Sequence, residues 1–268
     1  MSSSERELAD GKLRLDHPAE HVARLTIHNP AKRNALDHAI LDAIAATVPE
    51  IDARCLLITA EGPVFSAGYD IGGLPRDEFA HQAESLVAHP FHDAIEALDA
   101  FPYPSVAALN GHAIGGGLEL ALTCDLRLAA EGATLGMPPA RLGLIYSHTG
   151  LRKFIDAIGA ARTRELFFTA RNVSARTGLE WGLVNELVAP GRIESRGVEY
   201  AAEIAALAPL SLAGNKRVIR DLLAAEGRLD PEVERELVEL RERCFRSEDF
   251  HEGVQAFAEK RAPRWQGR

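Results

Sequence analysis

Cysteine is scarce in this chain of 268 residues: Cys55, Cys124 and Cys244 stand far apart, odd in number and without a CxxC pair. That pattern excludes a disulfide framework and a zinc ribbon. Basic residues are also in deficit, 30 lysines and arginines against 39 acids, for a net charge of −9. Nucleic acid and anionic membrane surfaces call for a dense basic face, so neither partner is expected. No uninterrupted apolar run reaches the ~18 residues of a bilayer span. The opening Met1-Ser2-Ser3-Ser4-Glu5-Arg6-Glu7 lacks the apolar stretch of a signal peptide. The expected setting is therefore reduced and cytoplasmic. A Gly-x-Ser-x-Gly elbow and a Gly-Lys-Ser/Thr loop are both missing, which removes the serine-hydrolase and P-loop readings.

What remains is ordinary globular material, 46% hydrophobic and 26% charged, long enough to bury roughly three quarters of its unfolded surface. Residues 1–10 read as a polar leader. Strand-like runs follow at 12–15 and 21–27, around a turn at His17-Pro18-Ala19. Asp37 can cap a helix that places Ile40, Leu41, Ile44 and Val48 on one face. The apolar run 55–60, closed by Glu61-Gly62-Pro63, reads as a buried parallel strand. A helical stretch near 77–100, a strand at 105–109, a helix from about Gly116 and a strand at 125–130 continue the alternation of an α/β fold. After about 191 the pattern changes to four helices, 193–207, 210–226, 231–246 and 248–260, with Asp230-Pro231 as a cap and first-turn proline. The expected division is a leader (1–10), an α/β core (11–190) and a helical region (191–268).

Two glycine-bearing segments carry chemical interest. Phe65-Ser66-Ala67-Gly68-Tyr69-Asp70 directly follows the buried strand; a small-small-Gly turn allows close approach and frees N–H groups to donate. The competing reading is a tight turn with no ligand. Asn110-Gly111-His112-Ala113-Ile114-Gly115-Gly116-Gly117-Leu118-Glu119 follows the next strand and opens a helix, whose N-terminal amides favour negative charge. Glu119 lies one turn inside, where a carboxylate is also simply a favourable first-turn residue. His81, His89 and His92 sit on a charged stretch without carboxylates at metal-ligand spacing, so they read as surface histidines and no metal is expected.

Together the two segments resemble the two oxyanion-hole motifs of the enoyl-CoA hydratase/isomerase (crotonase) superfamily. Asn29-Pro30 with Asn34-Ala35-Leu36 is similar to its N-terminal signature. Gly178, Trp181-Gly182-Leu183-Val184 and Val188 resemble a later segment, and His251-Glu252-Gly253 through Ala256-Phe257-Ala258-Glu259-Lys260-Arg261 its C-terminal one. The resemblance implies a crotonase-type α/β spiral of ββα turns with a C-terminal helical region that assembles as trimers or hexamers. It also implies an enzyme of CoA thioesters that needs no cofactor, because CoA is part of the substrate.

By the same resemblance the amides of Tyr69 and Gly116 would polarise the thioester carbonyl, with Ala67, Asp70 and Ile71 beside them. Asp70 reads as a loop residue rather than a base, and Asp125 as the anchor of a turn. Lys32 and Arg33 would meet the nucleotide end of CoA, and Phe257 and Lys260 on the last helix would reach a CoA bound to their own or a neighbouring subunit. Glu119 matches the first of the family's two catalytic glutamates. The position of the second holds Pro139, which has no titratable group. Just after Gly143 stand Ile145-Tyr146-Ser147-His148. Tyr146 is similar to a tyrosine of the methylmalonyl-CoA decarboxylase branch, although that branch has histidine where this chain has Tyr69. Tyr146 and His148 would then position a carboxylate by hydrogen bonding; leaning on the core and capping a helix are their competing roles. The leading expectation is a hydratase/isomerase-like lyase. A decarboxylase of malonyl-type thioesters is the alternative, and a CoA-binding scaffold without turnover is a third. The wall of the acyl pocket is expected from 72–100.

Overall fold

The computed structural model describes residues 5–70, 90–189 and 191–268. Among the described residues eleven strands form two sheets. Strands β1 (Arg6–Leu8), β2 (Leu13–Ala19), β3 (Val22–Ile27), β4 (Cys55–Ala60), β6 (Ser105–Leu109), β8 (Leu126–Ala130) and β11 (Glu186–Val188) make a seven-stranded sheet in that spatial order. From β3 to β11 it is parallel. A smaller sheet runs β10 (Val173–Ser174), β9 (Thr134–Gly136), β7 (His112–Ile114), β5 (Val64–Ser66). Each of β4, β6 and β8 is followed by a short strand in the second sheet. The β6–β7 pair leads directly into a helix, and the expected spiral of ββα turns is the architecture found.

The residues explain the elements. All six side chains of β4 and all five of β6 are buried, as expected of parallel strands covered on both faces. Helix α1 (His38–Thr47) starts where Asp37 accepts from the Ile40 amide, and it buries Ile40, Leu41 and Ile44. The stretch expected near 77–100 is described only at its end, as α2 (His92–Ala100). His81, His89 and the rest of that stretch lie outside the described residues. The turn expected at 17–19 falls later: β2 runs on to Ala19 through an irregularity after Asp16, and His21 takes a positive φ of 58°. Pro18 is tolerated because it falls in the irregularity between Asp16 and Ala19, where it has no register partner on β3, and β1 pairs only as far as Leu15.

The polar leader needs correcting. Arg6–Leu8 adds an antiparallel edge strand to β2, where backbone pairing outweighs the polar side chains. The helical region is also less separate than its composition implies. Helix α3 (Gly116–Thr123) lies between the sheets, and α4 (His148–Thr169) and α5 (Ala175–Trp181) follow it. Beyond 191, α6 (Ile193–Ala205) packs on the outer face of the main sheet with Val22, Leu57, Val106, Ala108 and Leu128. Gly197 allows that contact, since a Cβ there would stand 3.0 Å from Ala108 Cβ. Helix α7 (Pro209–Glu226) has no buried residue. It is tethered by Lys216, which donates to Asp125 at 2.8 Å and to the Tyr103 carbonyl at 3.0 Å. Asp125 is the expected anchor, because it also accepts from the Ser105 amide and hydroxyl. Helices α8 (Pro231–Phe245) and α9 (Glu248–Ala258) close the chain around a small Phe245–Phe250 cluster.

Candidate active site

The loops after β5 and β7 converge on one spot, held there by the 29–36 segment. Asn34 takes φ 55°, and its side-chain amide donates to the carbonyls of Glu61 (2.8 Å) and Val64 (2.7 Å). Its Oδ1 accepts from the Asn29 amide at 2.8 Å. The Ala67 amide donates to Arg33 O, Leu36 N to Gly68 O, and Asp70 N to Leu36 O. The Asn29-Pro30…Asn34 motif is therefore a brace for the first loop. The second loop lies close against the first. A Cβ on Gly111 would fall 1.9 Å from Pro63 O, and one on Gly117 would fall 2.6 Å from Ser66 Cβ.

These contacts place two amides side by side. Gly68 has φ +95°, and a Cβ on it would stand 2.9 Å from Ile114 O and 3.3 Å from Gly116 N. Gly115 (φ 56°) caps α3, leaving the Gly116 amide at the positive end of the helix. Among the described residues neither the Tyr69 nor the Gly116 amide donates to a backbone carbonyl. The ring of Tyr69 covers Gly116, where a Cβ would meet its Cε1 at 2.8 Å, and it packs edge-on against Phe91.

Glu119 is the one buried acid among the described residues, 3% exposed. The Tyr146 hydroxyl donates a short hydrogen bond to Glu119 Oε2, and it also lies 3.4 Å from the Tyr69 hydroxyl. Gly150 on α4 makes room, for a Cβ there would stand 2.8 Å from Glu119 Oε1. Burial is the main influence on the Glu119 carboxyl and raises it to about 7, with the Tyr146 hydrogen bond pulling the other way. Burial likewise pushes the phenols of Tyr69 and Tyr146 well above their ordinary range. The result is a dry cluster of two neutral phenols and one carboxyl that changes charge near neutrality.

The expected residues divide into three groups. Glu119, Tyr69, Gly116 and Tyr146 come together. Ala67, Asp70, Lys32 and Arg33 lie along the braced loops, where Lys32 Nζ is 3.5 Å from Asp70 Oδ1. His148 lies apart from the Glu119–Tyr146–Tyr69 hydrogen bonds, its Nε2 3.3 Å from Glu234 on α8, and Ser147 performs the capping by accepting from the Gly150 amide. Phe257 is exposed on α9 and Lys260 follows it with φ 54°. Ile71 and most of the expected pocket wall fall outside the described residues. Pro139 is buried in a 3-10 turn, Pro139–Leu142, on which α9 packs through Gly253. Sequence reasoning missed the Tyr69 side chain and Arg241, which lines a small cavity with Tyr69 and Tyr146.

A family model described as enoyl-CoA hydratase/isomerase matches residues 18–268. The chain belongs to that family. A probable enoyl-CoA hydratase of Bacillus subtilis (strain 168) is 36% identical over 260 residues, spanning 92% of this chain and 96% of the relative. The methylmalonyl-CoA decarboxylase of Escherichia coli (strain K12) is 31% identical over 254 residues, at 92% and 95% coverage. Among solved structures, a methylmalonyl-CoA decarboxylase in complex with 2-nitronate-propionyl-CoA superposes with a TM-score of 0.86 at 28% identity, covering 96% of this chain and 99% of that one. An enoyl-CoA hydratase/isomerase from Pseudoalteromonas atlantica T6c gives 0.80 at 28% identity, covering 95% and 100%. As a member of the enoyl-CoA hydratase/isomerase family, the chain is an enzyme type that acts on CoA thioesters. No described helix is long and apolar enough to cross a membrane.

Proposed function

We propose that this protein turns over acyl-CoA thioesters through an enolate whose oxygen is held by the amides of Tyr69 and Gly116. The reaction the site supports best is loss of carbon dioxide from a malonyl-type thioester. Fixed amides at a helix N-terminus stabilise a developing oxyanion without reorganising. In the step itself, the bond from Cα to the carboxylate breaks and its electron pair enters the enolate. Carbon dioxide leaves, and protonated Glu119 delivers a proton to Cα before taking one back from solvent. No cofactor enters this scheme beyond the CoA of the substrate. The observation that carries the proposal is the single buried acid among the described residues: Glu119 is joined to Tyr146, and by the family resemblance buried Pro139 takes the position of the second glutamate. Adding water across a double bond needs one group to activate the water and another to protonate carbon.

Hydratase/isomerase-like chemistry is the second reading. It is supported by the names of several relatives and by a Glu119 carboxyl near 7, which suits a base as well as an acid. A mass-resolved assay of the purified protein against enoyl-, 3-hydroxyacyl- and malonyl-type CoA thioesters separates the two. Loss of carbon dioxide supports the proposal, and gain or loss of water overturns it in favour of hydration. CoA binding without turnover of any thioester leaves the scaffold reading.

Tyr146→Phe tests the pairing. Its hydrogen bond holds the Glu119 carboxyl down, so removing it is expected to move the pH limb of kcat to higher pH. A limb that does not move would show that the Tyr146 hydroxyl does not set the Glu119 carboxyl. Lys32 and Arg33 are assigned to the nucleotide end of CoA, with Phe257 and Lys260 contributing from α9. The exposed apolar residues Val218, Ile219, Leu222 and Leu223 on α7 support assembly into a homotrimer or hexamer. Sedimentation is expected to give three or six times the mass of one chain, and a monomer would sink that assignment.

A further inference from the structure

Among the described residues Arg241 is a cation without an acceptor, beside the acyl site. It comes from α8, is half-buried, and lines a cavity of about 10 Å³ with Tyr69, Tyr146, Ile145, Ser147 and Phe245. That volume is room for about one water. Its Nε is sealed from solvent and has no hydrogen-bond partner among the described residues. Two nearby arginines are paired by contrast: Arg246 reaches Glu242 at 3.2 Å, and Arg261 forks onto both oxygens of Glu252. A buried N–H left unmade is costly and calls for a reason. The charge of Arg241 is also felt at the site, where it opposes the upward push on the Tyr69 phenol. An ordinary surface arginine lays its stem on apolar residues and keeps its head in water. Arg241 instead keeps a dry N–H and lines the cavity it shares with Tyr69 and Tyr146.

We propose that Arg241 is a specificity-determining residue that receives a second carboxylate carried by the acyl group of the thioester. This rests on the reading that the acyl group lies against Glu119 and Tyr146, and it holds whether or not that carboxylate is lost. A planar guanidinium matches a carboxylate in shape and charge. Glu119, half-protonated near neutrality, opposes a second anion only weakly. α8 buries just one residue, Phe245, so it is lightly enough packed to shift as the acyl group enters. If the carboxylate leaves as neutral carbon dioxide, an arginine that grips it stabilises the ground state more than the transition state. Loss of Arg241 then raises KM, and kcat rises with it rather than falling.

The test measures binding, so that the reaction type does not decide it. Isothermal titration compares 2-carboxypropyl- with propyl-CoA, thioether analogues that cannot lose carbon dioxide, and succinyl- with butyryl-CoA, on wild type, Arg241→Met and Arg241→Lys. Wild type is expected to favour one carboxylated ligand at least tenfold over its neutral counterpart. Arg241→Met should lose that preference while binding the neutral ligands within about twofold of wild type, and Arg241→Lys should recover part of it. Equal weakening for both classes would make Arg241 merely structural and overturn the proposal, as would a wild type without preference or an unchanged preference in Arg241→Met. Carboxylate preference without release of carbon dioxide supports Arg241 and removes the decarboxylase reading alone. A wild type that binds no thioester removes both.

Discussion

Glu119→Gln is expected to lower kcat by about 10²–10⁴-fold while leaving KM within a few-fold of wild type, because a positioned acid or base acts in the transition state rather than in binding. The pH profile supplies the sign. With the Glu119 carboxyl at about 7, an enzyme that uses it as the proton donor loses activity as pH rises through 7. One that uses it as a base gains activity over the same range. The descending limb is expected here, and an ascending limb would restore the hydratase reading. Stability gives a control. The folded carboxyl is raised from an ordinary value near 4.5, so the folded chain binds more protons than the unfolded chain between 4.5 and 7. Stability therefore falls as pH rises through that window, by roughly 3 kcal/mol for the whole interval. Glutamine carries no such penalty and still accepts from Tyr146. The variant should melt no lower than wild type at pH 8, which separates lost chemistry from lost fold.

Gly68→Ala should reduce kcat/KM by about 10²-fold or more, the scale on which a displaced oxyanion donor is felt. A methyl group at Gly68 meets Ile114 O at 2.9 Å and Gly116 N at 3.3 Å, both on the opposing loop. It also has to adopt φ +95°, a region closed to alanine without strain. The two loops must separate, and the two amides separate with them. Catalysis should suffer far more than CoA affinity, which is assigned to groups on other loops. Thioester turnover with melting on the same samples checks this; a variant that keeps full activity would remove the paired amides from the proposed mechanism.

Most of the frame was legible in the sequence because it depends on local signals. The run 55–60 could only be a buried strand, Asp37 carried its cap in its side chain, and the proline after Asp230 marked a helix start. The site was legible in another way, through five short motifs in order, and the structure supplies a physical reason for one of them: Asn34 braces the first loop. The bond between Tyr146 and Glu119 joins positions 27 apart, and no periodicity announces it. Tyr69 was read for its amide alone, since nothing in Phe65-Ser66-Ala67-Gly68-Tyr69 says where its ring turns. Arg241 was hidden more completely. It lies within Glu239-Leu240-Arg241-Glu242-Arg243, a stretch that reads as a solvated helix face. The leader misled for the opposite reason, because its side chains are polar while its backbone pairs.

All eight residues of α3, the helix that carries Gly116 and Glu119, are buried, whereas α7 buries none and α8 only Phe245. Local opening follows that difference. The amides of α3 should exchange with solvent deuterium only when the whole molecule unfolds, while α8 exchanges through small, frequent detachments. On gentle warming the helix that brings Arg241 lets go first, and the helix that brings the acid lets go last. An ageing or partly denatured preparation would therefore become indiscriminate toward its thioesters before it became inactive.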